Sequence, residues 1–411
     1  MEKYIRLIKE YSKNEYKNIT REASGKLKYP FIVPGRAYAM QLWDWDSWLT
    51  DIAIRQIFCD NNDSCADYER YEKGCILNFI DHTDKEGRMP ILISSSGGGE
   101  LIGENTNMHK PCLAQHLAFI MQQTDNKTDW FIQCFDKVEL FIKNYIKNQK
   151  HTETGLFFWL DDLAIGVDNE PTTFYRPKKS SAAIYLNCLM YKELCAMEYI
   201  CGVIGKDSQV YRKEAEELKA AINEYLWDER NGFYYSADLN LVPIDKNNWL
   251  HGGMPRHWNS LIQKIDVWCG FMAMWAGIAT KEQAERIVKE NMLNEKTFYA
   301  PYGIRSLSKC EKMYRVIASG NPSCWTVPVW INANYMCFKG LIRYGYTDEA
   351  ADIAKKTIEL LGRDIEQNGE MHEYYDPDSG KGVVNLGFQS WNLLVNNMIA
   401  WLEERKTINE F

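Results

Sequence analysis

Two kinds of apolar pattern alternate along the chain. Segments 180–204 (SSAAIYLNCLMYKELCAMEYICGVI) and 265–278 (IDVWCGFMAMWAGI) are apolar almost all round. The segments that follow them, 208–227 (SQVYRKEAEELKAAINEYLW) and 281–293 (KEQAERIVKENML), carry charge along one face. A helix apolar on every side has to be enclosed, whereas one with a single apolar stripe lies at the surface. The same inner and outer contrast recurs at 328–345 with 347–367. Helical patterns at 46–58 with 66–80, and at 111–123 with 129–149, make two more pairs, and 388–405 ends the series.

Polar turns containing glycine punctuate these segments. Gly87, Gly155, Gly232, Gly303 and Gly380 each precede apolar or aromatic residues, and Gly35 begins the series. Their spacing leaves room for two helices plus loops each time. Six such turns predict six helical hairpins. The expected fold is therefore all-α: an (α/α)6 toroid forming a single domain over 1–411, with short β-hairpins confined to aromatic loops that gather at one end. An open α-solenoid also stacks helix pairs; the irregular period and the Trp-rich loops favour the closed form.

Composition changes the picture in one respect. The chain has 14 Trp and 24 Tyr, which predicts a concave surface lined by flat, half-polar rings. A net charge of -8 argues against a nucleic-acid partner, because phosphate binding needs a basic face. No apolar run approaches a membrane span. The charged start MEKYIRLIKEYSKNEYKNI has no signal-peptide core, so a cytoplasmic protein is expected. The 12 cysteines show no CxxC spacing and read as free thiols. With neither HxxxH nor HExxH among the seven histidines, no metal and no organic cofactor are expected. The oligomeric state stays open, a homo-oligomer included.

Candidate chemistry sits in the loops. QLWDWDSW (41–48), GVDNEPTTFYRP (166–177), SCWTVPVWINANY (323–335), HEYYDPDSG (372–380) and FQSWN (388–392) each mix rings with carboxylates or amides. Rings stack on the C–H faces of a pyranose, and carboxylates and amides bind its hydroxyls in fixed directions. Glycoside cleavage needs two carboxyls facing one bond. Asp168, in a stiff Pro-bounded loop after an apolar aromatic run, suits the acid; Glu373, in a second aromatic loop, suits the base. Other readings stand beside these. Asp168 also fits an Asx turn, Glu370 rivals Glu373, and Asp46 fits the N-cap of a helix starting at Ser47. ILISSSGGGE (91–100) reads as a lid over a pocket, and Lys110 and Gln115 as neighbours on one face.

Taken together, WDWDSW, GVDNEP, YGIRSLS, the W-x-x-P-V-W-x-x-x-N-Y of 325–335, E-x-Y-D-P-x-S-G and F-x-S-W resemble the inverting α-glycosidases of glycoside hydrolase family 63. They are more distantly similar to the trehalases. The resemblance spans about 38–392. It implies an (α/α)6 barrel, inversion at the anomeric carbon, Asp168 as general acid and Glu373, rather than Glu370, as general base. It places Asp46 on the sugar of the innermost subsite and Trp330 at the second tryptophan of the W-x-x-P-x-W motif. The substrate contacts expected on this basis are Tyr38, Trp43, Trp45, Asp46, Gln115, Arg176, Trp330, Tyr375, Gln389 and Trp391. Two departures are visible: Thr326 and Val327 stand where many members read Arg-Gly, and Arg176 follows the D-N-x-P proline only after TTFY. Chains of this length resemble the hydrolases of 2-O-α-mannosylglycerate and 2-O-α-glucosylglycerate, so the expected partner is a small α-glycoside. An anionic aglycone would call on Arg88, Lys110, Arg176 or Arg305. The alternatives are hydrolysis of neutral disaccharides, a sugar epimerase using a pair among His251, His257 and His372, and a non-catalytic sugar-binding protein.

Overall fold

The computed structural model describes residues 1–98, 106–316 and 320–411. Twelve α-helices occur among them: α1 (Glu2–Glu15), α2 (Asp44–Asn61), α3 (Glu69–Asp81), α4 (Leu113–Gln123), α5 (Phe135–Gln149), α6 (Ile184–Ile204), α7 (Gln209–Tyr225), α8 (Met272–Trp275), α9 (Lys281–Arg286), α10 (Ile331–Arg343), α11 (Thr347–Asn368) and α12 (Val395–Glu404). The even-numbered helices form a closed inner ring. Each packs on the next from α2 through α10, and α12 with its leading 3-10 turn Ser390–Leu394 closes on both α10 and α2. Their apolar surroundings explain their patterns: α2 is buried without a break from Asp44 to Phe58. The odd-numbered helices are amphipathic, with α7 backing α6 and α11 backing α10. This is the (α/α)6 toroid, and its short antiparallel strands of two or three residues lie in the loops.

Three local differences have physical causes. Helix α1 lies in the charged start of the chain, outside the expected helical pairs, yet Tyr4, Ile5, Ile8 and Tyr11 recur at helical spacing, and α1 packs on α11 and α12 as the sixth outer helix. The helix expected over 265–278 shrinks to α8 and a 3-10 turn, Trp268–Phe271, because Val267 bridges Leu307 and the Trp268 N–H donates to the Ser306 carbonyl. Gly35 is extended, unlike the five other turn glycines, which have positive φ. Its role is close approach: a Cβ there would lie 2.4 Å from the Gly387 carbonyl oxygen. That contact joins the loop before α2 to the loop before α12.

All twelve cysteines are free. Among the described residues no helix is long and apolar enough to cross a membrane, and no cluster of His, Cys, Asp and Glu has the arrangement of a metal site. The segment read as a lid divides. Leu92–Ser94 pairs with Gln41–Trp43, and the end of the glycine run lies outside the described residues.

Candidate active site

The segments that lead into α2, α4, α6, α10 and α12 converge on a cavity of about 500 Å3. Because they all enter inner helices, the cavity sits at the N-terminal ends of the ring. Its buried wall is aromatic. Trp325 and Trp330 stack with centroids 4.1 Å apart and planes 3° from parallel. Trp391 stands 5.4 Å from Trp45 and 4.9 Å from Phe388. Trp43 lines the cavity from the strand that pairs with Leu92–Ser94.

Asp168 and Glu373 both line this cavity. The loop that carries Asp168 is held by its own polar residues. Buried Glu170 accepts from the hydroxyls of Thr172 and Thr173, and burial lifts its pKa to about 7. Asn169, in a left-handed conformation at φ 61°, donates to the Ser323 carbonyl at 3.0 Å. The Asp168 carboxylate reaches across to Asn321, whose Nδ2 donates to Oδ2 at 3.1 Å, so it serves the cavity rather than capping its own turn. Burial raises its pKa; hydrogen bonds from Asn321 and Ser323 and the charge of Lys110 oppose the rise.

Glu373 is 5% exposed. Its Oε2 accepts from the Tyr38 hydroxyl at 3.0 Å and from the Asn385 amide. Burial raises its pKa, those two donors oppose, and the negative charge of Asp168 raises it further. Glu370 instead pairs with Arg36 on the outside, which leaves Glu373 as the acid of this loop in the cavity.

Asp46 lines the cavity beside them. It is not an N-cap: α2 already begins at Asp44, and Asp46 sits in its first turn. Its Oδ1 accepts from Ser390 at 3.0 Å, and burial, then the charge of Asp44, push its pKa well up. Asp44 is a residue that sequence reasoning passed over, although the doublet Asp44-Trp45-Asp46 marks it. Its Oδ1 lies 2.7 Å from the Lys110 ammonium, and its Oδ2 accepts the Lys110 backbone N–H at 2.9 Å. The same ammonium stands 5.2 Å from the centre of the Trp45 ring. Asn321 and Asn385 were also passed over; amides in loops give no periodic signal.

Tyr38, Trp43, Trp45, Asp46, Asp168, Trp330, Glu373 and Trp391 thus meet in one cavity. Four other expected contacts do not reach it. Gln115 is buried between helices, its Nε2 donating to the carbonyls of Pro111 and Leu189. The Tyr375 hydroxyl donates to Asp364, Gln389 turns toward Tyr11, and Arg176 pairs with Asp238. Of the four candidate cations Lys110 alone lines the cavity among the described residues. Arg88 bonds the Thr106 carbonyl, and Arg305 is held by Asp378, Tyr299 and Tyr314.

A ring of helical hairpins with one buried and one half-buried carboxyl and a tryptophan wall at one end defines a class, the (α/α)6 glycoside hydrolases. The chain belongs to the mannosylglycerate hydrolase MGH1-like glycoside hydrolase family, whose model matches residues 39–391. It is 26% identical to the cytosolic neutral trehalase of Kluyveromyces lactis over 58% of this chain and 31% of that protein. It is 31% identical to the mannosylglycerate hydrolase MGH1 of Selaginella moellendorffii over 32% of this chain and 24% of that protein. The chain thus spans about a third or less of the length of these relatives. In structure it resembles the GH63 mannosylglycerate hydrolase of Thermus thermophilus in complex with Tris and D-glycerate. The TM-score is 0.70, with 18% identity, over 95% of this chain and 99% of that one.

Proposed function

We propose that this protein is an inverting hydrolase of a small α-glucoside or α-mannoside, with Asp168 as general acid and Glu373 as general base. The observation that carries this reading is the meeting of these two acids, from loops far apart in sequence, in one tryptophan-walled cavity that also holds Asp46. The sugar ring lies against the aromatic wall and Asp46 binds its hydroxyls. Asp168, protonated, gives its proton to the glycosidic oxygen as the bond from that oxygen to the anomeric carbon breaks. Glu373, ionised, takes a proton from the water that attacks the anomeric carbon on the opposite face. The free sugar leaves with inverted configuration. Glu373 suits the ionised role because two donors already point at its Oε2, and hydrogen bonds to a carboxylate favour its charged form. Burial favours the neutral form at Asp168 as it does at Glu373, so the division of roles between them follows the G-x-D-N-x-P motif at Asp168 and the E-x-Y-D-P motif at Glu373. A carboxyl separation of roughly 6.5–9.5 Å is expected, the span that leaves room for water.

The substrate panel holds 2-O-α-mannosylglycerate and 2-O-α-glucosylglycerate together with neutral α-linked disaccharides. The epimerase reading has lost its support: among the described residues no histidine lines the cavity, and the His372 ring faces Asp364. The test is kinetic. Asp168→Asn and Glu373→Gln are each expected to lower kcat by orders of magnitude while leaving the melting temperature close to that of the parent. Near-normal turnover by either variant removes that residue from its role.

A further inference from the structure

We propose that the outer part of the cavity accepts an uncharged aglycone bearing a second sugar ring, with Tyr175 as its platform. This rests on the glycosidase reading above and narrows its substrate.

The first observation is charge. Asp46, Asp162, Asp168 and Glu373 all line the cavity. With Asp168 protonated for its task and Asp46 pushed toward its neutral form by burial, Glu373, ionised for its task, and the exposed Asp162 remain as negative charge. The one cation among the described lining residues, Lys110, is 1% exposed and held 2.7 Å from Asp44. Residues 99–105 and 317–319 contain neither Lys nor Arg. A carboxylate on the aglycone would therefore give up water, meet like charge and gain no cationic partner. A neutral, hydroxylated aglycone meets the same carboxylates as hydrogen-bond acceptors.

The second observation is the rim. Asp46 is 5% exposed, whereas Tyr175, lining the same cavity, is 88% exposed, so Tyr175 marks the mouth. Its backbone sits at φ 57°, in the left-handed region. Bulky residues avoid that region, and such strain clusters at ligand clamps, where the surrounding loop holds it. Phe174 supports it with ring centroids 4.2 Å apart. An exposed ring held this way gives the C–H face of a sugar a flat surface to stack on.

The experiment uses matched substrates in the glucosyl and mannosyl series. A 2-O-α-glycosylglycerol and the corresponding 2-O-α-glycosylglycerate differ in one carboxylate. The α-1,2-linked disaccharide supplies the second ring, and the α-glycosyl fluoride has no aglycone ring. In the series the enzyme prefers, the glycerol compound should exceed the glycerate in kcat/KM by about tenfold or more at low salt. The gap should narrow as ionic strength rises, and the disaccharide should exceed both. Tyr175→Ala should lower kcat/KM for the disaccharide about tenfold, mainly through KM, and thereby shrink its advantage over the fluoride. Glycerate cleavage equal to or faster than that of the glycerol compound overturns the proposal, as does an equal loss on disaccharide and fluoride in the variant. Failure to hydrolyse any of these compounds, fluorides included, contradicts the glycosidase reading itself and this inference with it.

Discussion

Glu373 receives the Tyr38 hydroxyl and the Asn385 amide on one oxygen, Oε2. The Tyr38 hydroxyl favours the ionised carboxylate, against the burial and the Asp168 charge that favour the neutral acid. Tyr38→Phe should therefore raise the pKa of the base. The acidic limb of kcat/KM should move to higher pH, and turnover below the optimum should fall. An acidic limb that stays in place would show that Tyr38 does not tune this group. Lys110 makes a second case. Its ammonium and Asp44 are buried together, and removing one member of such a pair leaves an uncompensated charge. Lys110→Met is expected to cost roughly 3–5 kcal/mol of stability, read as a lowered denaturant midpoint. The motif doublet Asp44-Trp45-Asp46 exposed part of this in the sequence. The turning of Gln115, Tyr375 and Gln389 away from the cavity was not legible, because spacing places a residue along a segment and does not fix which neighbour its side chain meets.

Helix α1 carries the clearest lesson among the elements. Its apolar positions are few and set among charges, so it falls outside the expected helical pairs, yet Ile8 is fully buried and Asn396 of α12 donates to Ser12 at 3.0 Å. Ile8→Ala should cost about 2–5 kcal/mol, as buried aliphatic truncations do; a loss below about 1 kcal/mol would show that α1 is not part of the closed ring. The inner helices were legible because nothing but enclosure suits an apolar surface on all sides. The 265–278 segment was misjudged for the same reason: a buried extended stretch and a buried helix present the same run of apolar residues. Glu193 of α6 shows how inner helices are tied. Its two oxygens accept the backbone N–H groups of Ala114 and Gln115 at the start of α4, and burial lifts its pKa to about 8. An acid raised on folding stabilises the native state below its unfolded pKa, and that contribution is lost as pH rises toward the folded value. Stability attributable to Glu193 should thus decline between about pH 4.5 and 8, and Glu193→Gln should flatten that decline in thermal melts across this window. A decline of unchanged slope in the variant would assign the pH dependence elsewhere.

The closed ring is what brings distant loops together. Asp46 lies at the start of α2 and Glu373 in the connection before α12, and these helices are neighbours only because the last hairpin returns to the first. The bridge between Gly35 and Phe388 fixes that seam, and Tyr38 reaches Glu373 across it. Closure could be inferred from six glycine-marked turns and from the apolar and amphipathic contrast within three of the helix pairs. The charge balance inside the mouth could not, since it depends on which cations the loops turn outward. The central claim, two acids acting from opposite faces of one anomeric carbon, is tested most directly by proton NMR of the first sugar released from an α-glycoside, before mutarotation. The β-anomer appearing first is the predicted result; the α-anomer appearing first would contradict the account.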